Sequence, residues 1–200
     1  RPESMSVTIK PGCLYVVATP IGDVGDMSVR ARAVLAAVDQ VAAEDTRTSA
    51  KLFEQLDLHT PLTAVHDHNE AFRVPGLIAR LQAGESLALI SDAGTPLISD
   101  PGYRLIAAAH DAGIFVAPVP GPCAAIAALS VAGLASDRFH FEGFLPSRQG
   151  PRVARLSLLA EATPTLILYE APHRIVETLE DLVATFGADR LATLDRKSVV

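Results

Sequence analysis

Short unbroken apolar runs alternate along the chain with longer stretches in which apolar positions recur every three or four residues. The runs at 14–18, 41–43, 62–65, 87–91 and 114–119 are uniformly apolar rather than alternating, the pattern of strands covered on both faces. The stretches between them read as helices over 28–38, from 46 to about 56, over 69–84 and over 102–112. Ser28 and Asn69 stand where N-caps belong, and Gly84 suits the residue just past a helix end. Strands separated by single helices predict an α/β fold with a mostly parallel sheet. Pro120-Gly121-Pro122 marks the best boundary, dividing an N-terminal α/β domain (11–120) from a smaller α/β domain (121–200). The second domain reads as a helix (123–131), a strand (139–144), a loop (146–150) and a helix (152–159). A strand (165–169), a helix (174–186) and a last apolar run (191–194) follow.

In an open parallel sheet, ligands bind beyond the carboxyl ends of the strands. Four polar or glycine-rich segments fall there: 19–23, Glu44-Asp45-Thr46-Arg47, His66-Asp67-His68-Asn69-Glu70 and SDAGTPLISDPG at 91–102. The last has twelve residues, where a plain strand-to-helix connection needs about 2–6. Its two prolines imply rigidity and Gly94 offers an unobstructed backbone N–H, which suits a small polar ligand such as part of a nucleotide. The plainer alternative is a turn in which Asp92 and Asp100 only cap the backbone. It is neither a Walker loop nor a GxGxxG dinucleotide fingerprint. The two histidines at 66 and 68 lack zinc-helix spacing and have no nearby cysteine, so no metal is expected. Glu44-Asp45-Thr46-Arg47 reads equally well as a site or as a helix start with acids in its first turn. Glu170-Ala171-Pro172-His173-Arg174, with Arg148, Arg152 and Arg155, reads as a basic rim for phosphate or as solvated charge. No GxSxG is present and neither cysteine has a nucleophile's context, so covalent catalysis is not indicated.

Seventeen Lys and Arg against 23 Asp and Glu give a net charge of −6, which excludes a generally basic nucleic-acid surface but not a local patch. Cys13 and Cys123 lie in apolar contexts and read as buried free thiols of a cytoplasmic protein. Residues 1–6 have no signal-peptide core, and Met5 reads as a natural start. The uncharged stretch 112–136 is broken by three prolines and reads as a buried strand, a tight loop and a buried helix, so no membrane span is expected.

Seven blocks occur in order: LYVVATPIG at 14–22, AEDTR at 43–47, HNE at 68–70, SDAGTPLISDPG, VPGP at 119–122, FEGFLP at 141–146 and YEAPHR at 169–174. Together they resemble the bacterial small-subunit ribosomal RNA methyltransferase I family, within the tetrapyrrole-methylase-like superfamily. The resemblance implies S-adenosylmethionine-dependent 2′-O-methylation of a cytidine ribose in 16S ribosomal RNA. It also implies a two-domain tetrapyrrole-methylase-like fold with the cofactor between the domains, a homodimer, and the small ribosomal subunit as partner. Carried over residue by residue, Pro20, Ala93, Gly94, Thr95, Pro96, Ile98, Pro120, Gly121, Cys123 and Ala124 would hold the cofactor. By type, Asp45, His68 and Glu170 are candidates for a general base, while Arg47, Asn69 and Arg174 would contact the nucleotide. After Asp189 the family pattern would continue, whereas here Arg190 to Val200 departs from it, so the second domain is expected to be truncated. Two rivals remain: a small-molecule (tetrapyrrole) methyltransferase of the same fold, and a truncated chain that folds without activity.

Overall fold

A computed structural model describes residues 6–196; Met5 and the final residues 197–200 lie outside the described residues. The chain divides into two compact units, one ending at Cys123 and one spanning Ala124–Arg196. In the first, β1 (Cys13–Val17), β2 (Gln40–Ala43), β3 (Leu62–Ala64), β4 (Leu87–Ile90) and β5 (Phe115–Val119) form one sheet in the order β3-β2-β4-β1-β5. Every pairing is parallel, with Leu14 opposite Leu87 on one side and Val116 on the other.

Helices α1 (Val29–Ala37), α2 (Thr46–Gln55), α3 (Glu70–Gln82) and α4 (Tyr103–Asp111) link these strands. Tyr15, Val17, Val41, Ala43 and Ile90 pack with Ala31, Val34, Leu35 and Phe53 in one core. Leu14, Ala42, Leu87 and Leu89 pack with Val74, Leu77, Leu81, Leu105 and Ala109 in another. Alternate residues of each strand therefore enter different cores, which is why the strand runs are apolar throughout. At roughly 1.5–3 kcal/mol per fully buried large aliphatic side chain, this two-sided burial is the main stabilising contribution to the unit.

Two of the four helix starts in the first unit carry side-chain N-caps and two do not. Ser28 Oγ accepts the Ala31 N–H at 2.9 Å, and an Asp45 carboxylate oxygen accepts the Arg47 N–H at 2.9 Å. Asn69 occupies the N-cap position of α3 but does not cap it. Its Oδ1 accepts the His66 N–H at 2.9 Å and its Nδ2 donates to the Ala64 carbonyl at 3.0 Å, so the side chain closes the β3–α3 turn instead. Helix α4 begins at Gly102, which has no side chain to cap with; Glu70, buried at the start of α3, accepts the Leu105 N–H at 3.2 Å.

The second unit contains α5 (Ala124–Val131), β6 (Phe139–Phe144), α6 (Gln149–Leu159), β7 (Thr165–Tyr169) and α7 (Ile175–Phe186). β6 and β7 pair in parallel as a two-stranded sheet. Two expectations change. Helix α5 is apolar but not buried: only Ala125 is enclosed, and Ile126 and Val131 face solvent, because two strands offer too little surface to cover it. Helix α6 starts at Gln149, absorbing the end of the expected loop, since Pro151 is tolerated in a first turn. The run 191–194 forms no strand, and Leu191 and Leu194 are exposed. No helix among the described residues is long and apolar enough to cross a membrane.

Gly102 has φ +126°, and a Cβ there would lie 2.7 Å from Leu89 Cδ2. Gly102→Ala is expected to destabilise the chain by about 2–4 kcal/mol through combined backbone strain and overpacking, read as a lowered urea midpoint at unchanged slope.

Candidate functional site

Strand β1 lies between β4 and β5, so the loops after these three strands emerge side by side at the carboxyl edge. They are tied together by direct bonds. Thr19 and Gly94 exchange backbone hydrogen bonds, the Thr19 N–H to the Gly94 carbonyl at 3.0 Å and the Gly94 N–H to the Thr19 carbonyl at 3.1 Å. Thr95 Oγ1 donates to the Pro122 carbonyl at 2.9 Å, joining the β4 loop to the segment after β5. Ser91 Oγ donates to the Ala93 carbonyl at 3.2 Å and steadies the loop from its start. The expected free N–H at Gly94 is thus committed to Thr19. Its glycine is required for another reason, since φ is +78° and a Cβ would meet Ile21 Cγ2 at 3.2 Å. Gly121 is similarly close, with a Cβ placed 3.0 Å from that of Ala18.

The loop 91–102 is strained. Leu97 (φ +72°) and Ser99 (φ +61°) adopt left-handed backbone, at a cost of roughly 1–2 kcal/mol each. Packing of Leu97 against the core beneath α3 and α4 holds the conformation. Strain of this kind concentrates at ligand clamps, where the surrounding structure over-determines it. Of the residues expected to hold a cofactor, Pro20, Ala93, Gly94, Thr95, Pro96, Ile98, Pro120, Gly121 and Cys123 all belong to these three segments of the first unit, while Ala124 begins the second.

Strand β2 neighbours β4, which brings the 44–47 segment against the same loop. The Asp45 N–H donates to Asp92 Oδ1 at 3.1 Å, and the Asp92 N–H donates to the Glu44 carboxylate. Burial, together with the negative charges of Asp92, Asp100 and Asp67, pushes the Glu44 carboxyl up to about 7. Sequence reasoning did not single out Glu44. Glu44 and its neighbours were visible as acids at three separate strand ends, but only the strand order makes them converge.

The expected base candidates differ in circumstance. Asp45 caps α2 and forms a 3.0 Å ion pair with Arg47, whose hydrogen bonds hold the carboxyl below its ordinary range. Glu170 accepts the Ala171 N–H at 2.7 Å, Arg174 Nε at 3.0 Å and Thr178 Oγ1 at 2.7 Å. Burial raises its pKa, but these bonds outweigh it and leave the carboxyl lowered. Arg174 is correspondingly engaged within the chain, and Asn69 is turned into its own loop. His68 is solvent-facing, its ring 5.9 Å from that of His66. The basic rim does not form as expected: Arg152 is buried against Asp181 at 2.7 Å, Arg155 pairs with Glu142, and Arg148 alone of the three stays exposed and unbonded through its side chain. Both cysteines are free, Cys13 buried and Cys123 half-buried. Among the described residues no group of three or more His, Cys, Asp or Glu is disposed to hold a metal.

The first unit is an α/β parallel sheet whose carboxyl edge carries a strained loop cluster tied by hydrogen bonds. The family model for tetrapyrrole (corrin/porphyrin) methylases matches residues 13–194. The chain therefore belongs to the tetrapyrrole methylase family and, within it, to the ribosomal RNA small subunit methyltransferase I group, as the following relatives show. It is 57% identical over 186 residues to the ribosomal RNA small subunit methyltransferase I of Pseudomonas aeruginosa, covering 93% of this chain and 66% of that protein. The proteins of the same name from Xylella fastidiosa and Escherichia coli O157:H7 are 55% and 51% identical, covering 94% and 98% of this chain and 68% of each relative. The chain thus spans about two thirds of the length of the curated relatives it matches. A crystal structure of uroporphyrin-III-C-methyltransferase from Thermus thermophilus shares the fold, with TM-score 0.59 and 22% identity over 86% of this chain and 73% of that one.

Because the folded pKa of Glu44 exceeds its ordinary value of 4.5, the folded state retains a proton that the unfolded chain has released. That stabilisation is fully present below the unfolded pKa and is lost as pH rises through about 7. With solvent screening of this half-buried group, the effect is on the order of 1–2 kcal/mol. Urea unfolding at pH 5 and pH 8 should show Glu44→Gln flattening the decline in stability between the two.

Proposed function

We propose that this chain is an S-adenosylmethionine-dependent methyltransferase that methylates the 2′-hydroxyl of a cytidine ribose in small-subunit ribosomal RNA. It acts in the cytoplasm, where ribosomal subunits are, and as a homodimer. The observation that carries the reading is the bonded loop cluster at the carboxyl edge, in which Thr19–Gly94 and Thr95–Pro122 hold SDAGTPLISDPG in a strained conformation. The relatives of more than 50% identity, named for ribosomal RNA methylation, support the substrate.

The residues present fit the cofactor. Ile21 and Ile98, both half-buried, offer apolar surface for a nucleoside. The carboxylates of Glu44, Asp67, Asp92 and Asp100 favour a positively charged group beside them. When bound, the cofactor supplies an electrophilic methyl on sulfur. The chain must then align the ribose oxygen with it and exclude water, contributions that depend on a rigid loop. Among the expected bases, His68 keeps an unencumbered side chain, whereas Asp45 and Glu170 are saturated by hydrogen bonds that favour their weakly basic ionised forms.

Titration calorimetry with S-adenosylmethionine should show binding, and Thr95→Val should weaken it up to about tenfold by releasing the loop from Pro122. Labelled methyl should pass to purified small ribosomal subunits and not to a porphyrinoid; the opposite preference would establish the small-molecule rival, and absence of cofactor binding the inactive one. His68→Ala should lower turnover by about 10²–10⁴-fold with cofactor affinity unchanged, and unchanged turnover would remove His68 as the base.

A further inference from the structure

Phe72 and Tyr103 are 84% and 74% exposed, the two most exposed aromatic side chains among the described residues. The chain has only ten aromatic residues of the Phe and Tyr types and no Trp, and a buried aromatic contributes substantially to a core. Each is followed by an exposed arginine, Arg73 and Arg104. Phe72 lies in the first turn of α3 and Tyr103 opens α4. These two first turns are joined directly, because Glu70 at the start of α3 accepts the Leu105 N–H of α4. Val74, Leu77 and Leu81 of α3 and Leu105 and Ala109 of α4 enter the shared core, which leaves the aromatic–arginine pairs on the outer face. Both helix starts directly follow strand-end loops of the carboxyl edge, the second of them 91–102 itself.

We infer that Phe72, Arg73, Tyr103 and Arg104 form a docking surface for a single-stranded segment of the RNA substrate, with bases stacked on the two rings and phosphates paired to the two guanidinium groups. This rests on the RNA reading of the function. Charge complementarity selects the occupant. A chain of net charge −6 repels RNA over most of its surface, so binding needs a local cationic patch. Here the arginines add to the positive ends of two helices, and Glu70, the acid in the first turn of α3, is turned inward onto a backbone N–H of α4. Asp67 and Asp100, in the loops just before the two helices, lie close enough to Glu44 to raise its pKa, so phosphates are held to the arginine side. Aromatic faces beside guanidinium groups are the usual platform for unstacked bases, and a ribose hydroxyl inside a regular duplex is poorly accessible for transfer.

The test uses this chain with purified small subunits and with a fluorescein-labelled single-stranded oligoribonucleotide carrying the ribosomal segment the wild type methylates. Phe72→Ala and Tyr103→Ala should each weaken RNA binding by about 5- to 100-fold, and raise KM while leaving kcat and S-adenosylmethionine affinity unchanged. Phe72→Tyr and Tyr103→Phe, which keep the ring, should bind as the wild type does. The double variant Arg73→Ala and Arg104→Ala should reduce the slope of log affinity against log salt by about 1.4, the value for two single-strand phosphate contacts. All are exposed positions, so circular dichroism and urea midpoints should not move. Wild-type binding with unaffected variants overturns the docking surface and leaves the RNA reading intact; no wild-type binding or methylation of RNA overturns both. Loss of binding to subunits but not to the oligoribonucleotide assigns the patch to a ribosomal protein instead, and a variant that changes sedimentation mass assigns it to a second copy of this chain; either result overturns the RNA surface.

Discussion

The reciprocal backbone bonds between Thr19 and Gly94 are the constraint on which the site depends. They are possible because β1 sits beside β4 in the sheet, so the segments leaving the two strands stay close and, once the β4 chain has turned, meet in an isolated antiparallel bridge. Gly94 must be a glycine for the approach to close, and Thr95 then reaches Pro122 beyond β5. Once both ends of this short stretch are held, the remaining residues of 91–102 have little freedom. Left-handed backbone at Leu97 and Ser99 becomes tolerable because Leu97 is anchored in the core below. Rigidity here is a property of sheet order, not of the prolines alone.

The carboxylates of the chain divide by what they accept. Asp45, Glu142, Glu170 and Asp181 each receive hydrogen bonds from an arginine, and in every case the carboxyl is held below its ordinary range. They organise helix starts and inter-helix contacts; Arg152 and Asp181, for instance, join α6 to α7 in a pair that would be destabilising to break from one side. Glu44 has the opposite surroundings: one backbone N–H, partial burial and three like charges. A carboxyl so placed exchanges its proton near pH 7, whereas its saturated neighbours stay ionised there. The contrast arises from tertiary placement, since all five are ordinary acids in the sequence.

The two units differ in how completely they enclose apolar surface. The first has five parallel strands with a core on each face. The second has two strands, and α5 together with Val176 and Val183 of α7 leaves apolar side chains in solvent. Its interior relies more on polar pairs, notably Arg152 with Asp181 and Glu170 with Thr178 and Arg174.

Sequence alone determined the parallel α/β character of the first unit, most of its strand and helix positions, and which loops stand at its carboxyl edge. It could do so because two-sided burial leaves an uninterrupted apolar run and because Ser28, Gly84 and Gly102 act locally. Family resemblance added the expected cofactor and substrate, which no local pattern encodes. Tertiary structure decided what each polar group does. It turned Asn69 from a cap into a loop clasp, committed the Gly94 N–H to Thr19, buried Arg152 and Glu170 in pairs, and gathered three acids around Glu44. The physical reason is that a hydrogen bond or a charge interaction depends on partners distant in sequence, whose proximity is set by strand order and not by spacing along the chain.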